Sequence, residues 1–114
     1  MLIDKDKFRE NFEFFDKEIV LDIINMFIDE YPERMQKIKQ NIDDKDFENL
    51  KFNAHSLKGV IANFVADDAT AVAKALENKG KNQDPEGIDE LYQTLVEKTG
   101  QVVEELKELK KDFV

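Results

Sequence analysis

The sequence predicts an all-α fold, an antiparallel up-down four-helix bundle with a short additional N-terminal helix. Two observations lead to this prediction. Apolar residues recur at helical spacing along most of the chain, and no stretch has the alternating pattern of a strand. The chain also has only 4 glycines and 2 prolines in 114 residues, so few positions can interrupt its helices. Because a chain of this length encloses one core, we expect residues 1–114 to form a single domain.

The short N-terminal helix is predicted from the spacing of phenylalanines. Phe8, Phe12 and Phe15 recur at helical intervals after two aspartates, which favours a helix over residues 4–14. We expect this helix to cover one side of the bundle. The phenylalanines between residues 12 and 15 are then assigned to the core.

A second helix is expected to begin after Asp16, which can cap it. Pro32 interrupts this helix, because proline lacks the backbone donor and disfavours helical geometry at the residue before it. Tyr31 therefore marks either a kink within one helix or the joint between two consecutive helices. The apolar stripe of this segment consists of Val20, Ile23, Ile24, Phe27, Tyr31, Ile38 and Ile42.

The third helix has the most regular apolar pattern in the chain. Asp43 and Asp44 are its predicted caps. Its apolar residues are spaced 3, 4, 3, 4 and 3 positions apart, which is typical of a helix that packs one face into a bundle. These residues are Phe47, Leu50, Ala54, Leu57, Ile61 and Phe64.

The fourth and last helices are separated by glycine and proline. The fourth is predicted over residues 66–79, with Gly80 as the glycine that follows its C-terminus. Asp84 and Pro85 are read as the cap and first position of the last helix. Its apolar stripe runs from Ile88 to Leu109. Gly100 lies within this helix and lowers its stability by about 1 kcal/mol relative to alanine.

The composition excludes several classes of function. With 26 acidic and 17 basic residues the formal net charge is -9, so we expect no nucleic-acid partner. No stretch approaches the roughly 20 apolar residues of a membrane span and the start does not resemble a signal peptide, so we expect no membrane insertion and a cytoplasmic location. One histidine and no cysteine leave only carboxylates as metal ligands, which disfavours a metal site.

The single histidine, His55, is predicted to face solvent. On a helical wheel with Phe47 at zero, the apolar stripe of the third helix averages about -50° and His55 falls near 80°, about 130° away. Gly59 and Phe52 share its side of the helix, and Ala62 lies two turns after it. A glycine within a helix and an exposed phenylalanine are both unfavourable on a solvated surface. Together they indicate that a partner approaches the imidazole here.

The residues around His55 favour nucleophilic chemistry on phosphorus. An exposed imidazole is substantially deprotonated near neutral pH, so it can attack as a nucleophile and form a phosphoramidate. The transferring group then needs positive charge on its oxygens. Lys58 and Lys51 lie near 20° and 40° on the wheel, on the flank between His55 and the bundle. Both are candidates to stabilise a phosphoryl group, although Lys51 is also readily explained as a solvated lysine.

The stretch from Ala54 to Gly59, AHSLKG, resembles the A-H-x-L-K-G signature of histidine-containing phosphotransfer (HPt) domains. The similarity extends over nearly the whole chain and includes Leu76-Glu77, where the family commonly has Leu-Glu. The chain departs from the family at Val65, where many members have glycine, and at Val60, where many have a small polar residue.

The resemblance implies a carrier protein without kinase activity of its own. His55 would be the phosphorylated residue, Lys58 the phosphoryl-stabilising lysine and Gly59 the gap that permits approach. The partners would be response-regulator receiver domains and a hybrid sensor histidine kinase. No bound cofactor is implied, since the magnesium needed for transfer belongs to the receiver, and we expect a monomer. A helical adaptor that uses the face of Phe52, His55 and Gly59 without chemistry is the alternative.

Overall fold

The computed structural model describes residues 1–113, and these residues form five α-helices and no strand. The helices are α1 (Lys5–Asn11), α2 (Lys17–Asp43), α3 (Phe47–Asn63), α4 (Asp67–Lys81) and α5 (Ile88–Leu109), and a 3-10 helix, Lys110–Phe113, follows α5. The all-α class predicted from the sequence is confirmed. None of these helices is long and apolar enough to cross a membrane.

The four long helices enclose one cluster of buried apolar side chains. Helix α3 packs against α2 and α4, and α5 packs against α2 and α4, so each long helix has two long neighbours. The inner face of α3 supplies the residues that its spacing predicts, because Leu50, Ala54, Leu57 and Ile61 are fully buried. The outer face of α3 is thereby exposed to solvent.

Helix α1 is shorter than predicted. Asp4 caps it by accepting a hydrogen bond from the backbone amide of Lys7, and the helix ends at Asn11. Phe8 and Phe12 are buried, but Phe14 is 93% exposed and Phe15 is about half exposed. The assignment of the whole phenylalanine run to the core is therefore wrong. The run follows the end of α1 into a turn, where helical spacing no longer sets which side chains point inward.

Helix α2 continues through Pro32 without a break. Proline removes one hydrogen bond of the helix, and tertiary contacts compensate for it. The hydroxyl of the neighbouring residue, Tyr31, lies 2.7 Å from Oγ1 of Thr99 on α5. Because Oγ1 of Thr99 donates its own proton to the carbonyl of Leu95, Tyr31 is the donor in this bond. Tyr31 therefore lies within one helix and not at a joint between two.

The predicted start of α3 and the predicted end of α4 are wrong. The cap of α3 is Asp46, which accepts from the amide of Asn49, whereas Asp43 and Asp44 belong to the end of α2. Gly80 lies inside α4 and is buried, so it does not follow the C-terminus of that helix. Its role is in the contact between helices, which spacing along one helix does not reveal.

The predicted start of the last helix is also displaced. Asp84 and Pro85 lie in the turn before α5, where Oδ1 of Asp84 accepts from the amide of Glu86. The residue that precedes α5 is Gly87, in a left-handed conformation with φ of 69°. Glycine adopts this conformation without the steric penalty of a side chain, so the chain enters α5 three residues later than the cap signal indicates.

The junction between α3 and α4 contains an unusual backbone conformation at Val65. Its φ is 57°, a region that β-branched residues rarely adopt. The carbonyl of Val65 accepts a hydrogen bond from the amide of Asp4, which ties the N-terminal segment to this junction. Glycine would adopt the same φ without strain.

Candidate functional site

The imidazole of His55 lies on the outer face of α3, and its side chain is 66% exposed. It lies there because Ala54 and Leu57, its neighbours on the helix, turn into the core and are fully buried. A ring this accessible can be reached by a reactant carried on another protein. The predicted exposure of His55 is confirmed.

Glu77 of α4 connects His55 to Lys58. One oxygen of its carboxylate, Oε2, lies 2.7 Å from Nδ1 of His55, and the other, Oε1, accepts from Nζ of Lys58 at 2.6 Å. The Glu77 and Lys58 side chains are 19% and 25% exposed, so this pair is only partly screened by solvent. The three side chains form one network that joins α3 to α4.

The network fixes the protonation state of Glu77. Its hydrogen bond with Lys58 lowers the pKa of the Glu77 carboxyl below the ordinary value of 4.5; burial opposes this shift, and the hydrogen bond with His55 adds to it. Glu77 is therefore ionised at neutral pH, and an ionised carboxylate can only accept hydrogen bonds. A neutral His55 ring must then donate from Nδ1, which leaves the lone pair on Nε2. This is the atom that can attack an electrophile.

The surface beside His55 is open on one side and apolar on the other. One turn after it, Gly59 is exposed, and a Cβ added there would meet no atom within 4 Å. Ala62 is exposed one turn further on. One turn before His55, Phe52 is 69% exposed. Lys51 is exposed on the same helix, and the structure gives its ammonium no contact with His55 or Glu77.

A cleft of about 340 Å³ lies between α2 and α3, next to Phe52. Arg34 of α2 crosses it, donating from Nη1 to the hydroxyl of Ser56 at 3.0 Å and from Nη2 to Glu30 at 3.3 Å. Ser56 follows His55 directly in the sequence, so the cleft adjoins the site. Its charges are mixed, because acidic and basic side chains both line it.

Sequence reasoning missed Glu77 and Arg34 as parts of this surface. In the sequence, Glu77 stands out only through the Leu76-Glu77 dipeptide. The spacing of residues in α4 does not indicate which of its polar side chains faces His55. Arg34 lies 22 residues from Ser56, with which it pairs. Contacts between helices decide both positions. The predicted site residues on α3 are all exposed except Lys58, which is half-buried.

Comparisons with known proteins agree with the helical architecture. The family model for the Hpt domain matches residues 22–112. The chain is similar in structure to histidine-containing phosphotransfer protein B (HptB) from Pseudomonas aeruginosa PAO1, with a TM-score of 0.87 and 19% sequence identity over 96% of this chain and 95% of that one. At this identity the structural likeness describes the fold alone. A search of curated protein sequences finds no match.

Proposed function

The chain belongs to the Hpt domain family, and from this premise we propose that it carries a phosphoryl group on His55 between receiver domains of a two-component phosphorelay. The observation that carries the proposal is the orientation of the imidazole. Glu77 accepts from Nδ1 at 2.7 Å, and the exposed ring presents Nε2 outward as the nucleophile. This geometry supports a phosphoryl carrier, to which the donor would supply the activated phosphate.

The proposed transfer is an exchange of one bond to phosphorus for another. The lone pair of Nε2 attacks the phosphorus of an aspartyl phosphate on the donor receiver, the bond from phosphorus to the carboxyl oxygen breaks, and the aspartate leaves as a carboxylate. The ring keeps its proton on Nδ1 and becomes positively charged. Glu77 stabilises that charge through the same hydrogen bond. In the onward transfer the electron pair of the N–P bond returns to Nε2.

Lys58 has a different proposed role from Glu77. Its ammonium lies one turn from His55, and at rest it is paired with Glu77 at 2.6 Å. When a phosphoryl group arrives at Nε2, Lys58 can share its positive charge with the phosphoryl oxygens. The pairing at rest holds the lysine beside the ring, so little conformational freedom is lost when the transfer occurs.

The partners we propose are response-regulator receiver domains, with the donor receiver belonging to a hybrid sensor histidine kinase. Phe52, Gly59 and Ala62 would form the contact around His55, and Lys51 would lie at its edge. The neighbour relations of the four long helices support the antiparallel up-down order that the sequence predicts. We further propose that residues 1–114 act as one monomeric domain and require no cofactor bound to the chain.

The exposed Phe52 and the adjoining cleft also suit a second candidate function, a helical adaptor that binds a partner through this face without chemistry. The two functions differ in what the imidazole does. An adaptor would bind its partner equally well without a nucleophile at position 55. If the protein is a phosphoryl carrier, replacing His55 would abolish transfer and leave the fold intact, because the His55 side chain contributes nothing to the core.

The test is phosphoryl transfer from phosphorylated receiver domains of the source organism, with His55→Gln and Ser56→Ala as paired variants. The wild-type chain and Ser56→Ala should acquire a phosphate that is labile in acid and stable in alkali, as expected for a phosphoramidate. His55→Gln should acquire none. Phosphate on His55→Gln, or an acid-stable phosphate that disappears in Ser56→Ala, would refute the proposal. Partner binding without any transfer would favour the adaptor.

A further inference from the structure

Gly80 lies at a close approach of α4 to the backbone of α3. A Cβ added at this position would lie 2.7 Å from the backbone nitrogen of Lys51 and 2.8 Å from the carbonyl oxygen of Phe47. Contacts this short do not occur in folded proteins, and both atoms belong to the backbone of α3, so they cannot rotate away as a side chain would. Any residue larger than glycine would push the two helices apart.

This close contact is one helical turn from the His55 network. Gly80 follows Glu77 by three residues, and Lys51 precedes His55 by four. The two helices run in opposite directions here, since Gly80 faces Lys51 while Glu77 faces His55. The crossing and the network are therefore separated by only about 5.4 Å along the helix axes. A displacement of α4 at Gly80 is transmitted almost undiminished to Glu77, because a packed helix moves as a rigid element.

We propose that Gly80 is a positioning residue for the phosphoryl-accepting site, because the close helix crossing it permits holds the carboxylate of Glu77 against His55 and Lys58. This inference rests on the proposed function of His55 as the phosphoryl acceptor. The hydrogen bonds concerned are 2.7 and 2.6 Å long, so a shift of several tenths of an ångström weakens both. The ring would then lose its preference for the tautomer that carries the lone pair on Nε2.

The test compares two alanine substitutions at helical glycines. Gly80→Ala should move α4 away from α3, whereas Gly100→Ala has nothing within 4 Å of the new Cβ and gains the same helix propensity. The readout is the nitrogen-15 chemical shifts of the neutral His55 ring, which distinguish the Nδ1–H from the Nε2–H tautomer. Wild type and Gly100→Ala should show mainly Nδ1–H. Gly80→Ala should lose that preference, as Glu77→Ala does, and transfer phosphate about tenfold more slowly.

A Gly80→Ala protein that keeps the Nδ1–H tautomer would overturn the inference, as would an equal change in Gly100→Ala. If Gly80→Ala does not fold, Glu77→Asp decides the question, because it withdraws the carboxylate by one methylene and leaves the crossing untouched. Retention of the Nδ1–H tautomer in Glu77→Asp would show that the ring does not depend on the position of the carboxylate, and it would overturn the inference. The tautomer is measured without phosphate, so this result stands apart from any failure of His55 to accept a phosphoryl group.

Discussion

At the scale of single residues, Glu77 links the imidazole of His55 to the ammonium of Lys58. A carboxylate with two oxygens can serve two donors at once, and here one donor is the imidazole and the other is Lys58. The same contact that lowers the pKa of Glu77 keeps it an obligatory acceptor toward His55. The tautomer of a neutral His55 ring thus depends on a residue of another helix.

Removing the ammonium of Lys58 should slow transfer and raise the pKa of Glu77. We expect Lys58→Ala to transfer phosphate about 10- to 100-fold more slowly, since a hydrogen bond to a charged group is worth about 1.5–3 kcal/mol. The Glu77 pKa should rise toward its ordinary value of 4.5, because the hydrogen bond from Lys58 is the largest cause of its lowering. Transfer kinetics and a carbon-13 titration of the Glu77 carboxyl measure the two effects.

The same substitution should change how stability depends on pH. A carboxyl with a lowered pKa stabilises the fold above its ordinary pKa, and this stabilisation is lost as the pH falls through the lowered value. Wild type should therefore lose more stability than Lys58→Ala on acidification below pH 4.5. Lys79→Ala, which removes the partner of Asp84, is the control and should leave the Glu77 titration unchanged. An unchanged Glu77 pKa in Lys58→Ala would contradict this account.

At the scale of elements, helix α3 presents two surfaces with different tasks. Its inner face fills the core, and its outer face exposes Phe52, His55 and Gly59 in successive turns. The absence of a side chain at Gly59 costs helix propensity and no tertiary contact depends on it, since its surroundings are open. This cost is consistent with a surface shaped for the approach of another protein.

A leucine at position 59 should raise the stability of the fold and at the same time hinder the docking of a receiver domain. We expect Gly59→Leu to stabilise the fold by up to about 1 kcal/mol through helix propensity, because position 59 is exposed and a Cβ there would meet no atom within 4 Å. Transfer from a phosphorylated receiver should fall by at least about tenfold, which corresponds to 1.4 kcal/mol of lost docking energy. Urea unfolding and transfer rates are the two measurements.

Gly100→Leu provides a matched control for Gly59→Leu. Gly100 is also helical, and a Cβ added there would meet no atom within 4 Å, so its replacement by leucine should give a similar gain in stability without an effect on transfer. Normal transfer by Gly59→Leu would show that access to His55 does not require a gap at this position. A loss of transfer in both variants would instead point to a general effect on the fold.

The ends of elements show where sequence reasoning is limited. Asp43, Asp44 and Asp46 all carry a side chain that can cap a helix, and only the path of the chain between α2 and α3 selects Asp46. Gly80 has the residue type of a helix terminator, yet it is needed where two helices cross. Residue type shows which residues can cap a helix, end it or allow close packing. The contacts between helices determine which of these each residue does.

At the scale of the whole molecule, Glu105 joins the N-terminal segment to helix α5. Its carboxylate is buried, with the residue only 7% exposed, and it accepts from the backbone amides of Leu2 and Ile3 at 2.9 Å each. Ile3 is itself buried, and the amide of Asp4 donates to the junction between α3 and α4. The N-terminal segment is therefore held by hydrogen bonds from both sides before α1 begins.

Truncating Glu105 should destabilise the molecule strongly. In Glu105→Ala two amides near the core lose their acceptor, at about 1–3 kcal/mol each, so we expect a loss of about 2–6 kcal/mol in the free energy of unfolding. Amide hydrogen exchange should accelerate at Leu2 and Ile3. Glu104→Ala is the matched control, because Glu104 is exposed and its change should stay within about 0.5 kcal/mol. Equal stabilities for the two variants would contradict the stabilising role of the Glu105 hydrogen bonds.

The helical class, the inner and outer faces of α3 and the exposure of His55 could all be predicted from the sequence. These properties depend on the periodicity of one helix, which advances 100° per residue whatever its neighbours are. The continuity of α2 through Pro32, the packing role of Gly80 and the contacts of Glu77 with His55 and Lys58 are visible only in the folded molecule. Each of these depends on which residues of another helix lie opposite, and spacing within a single helix carries no information about that.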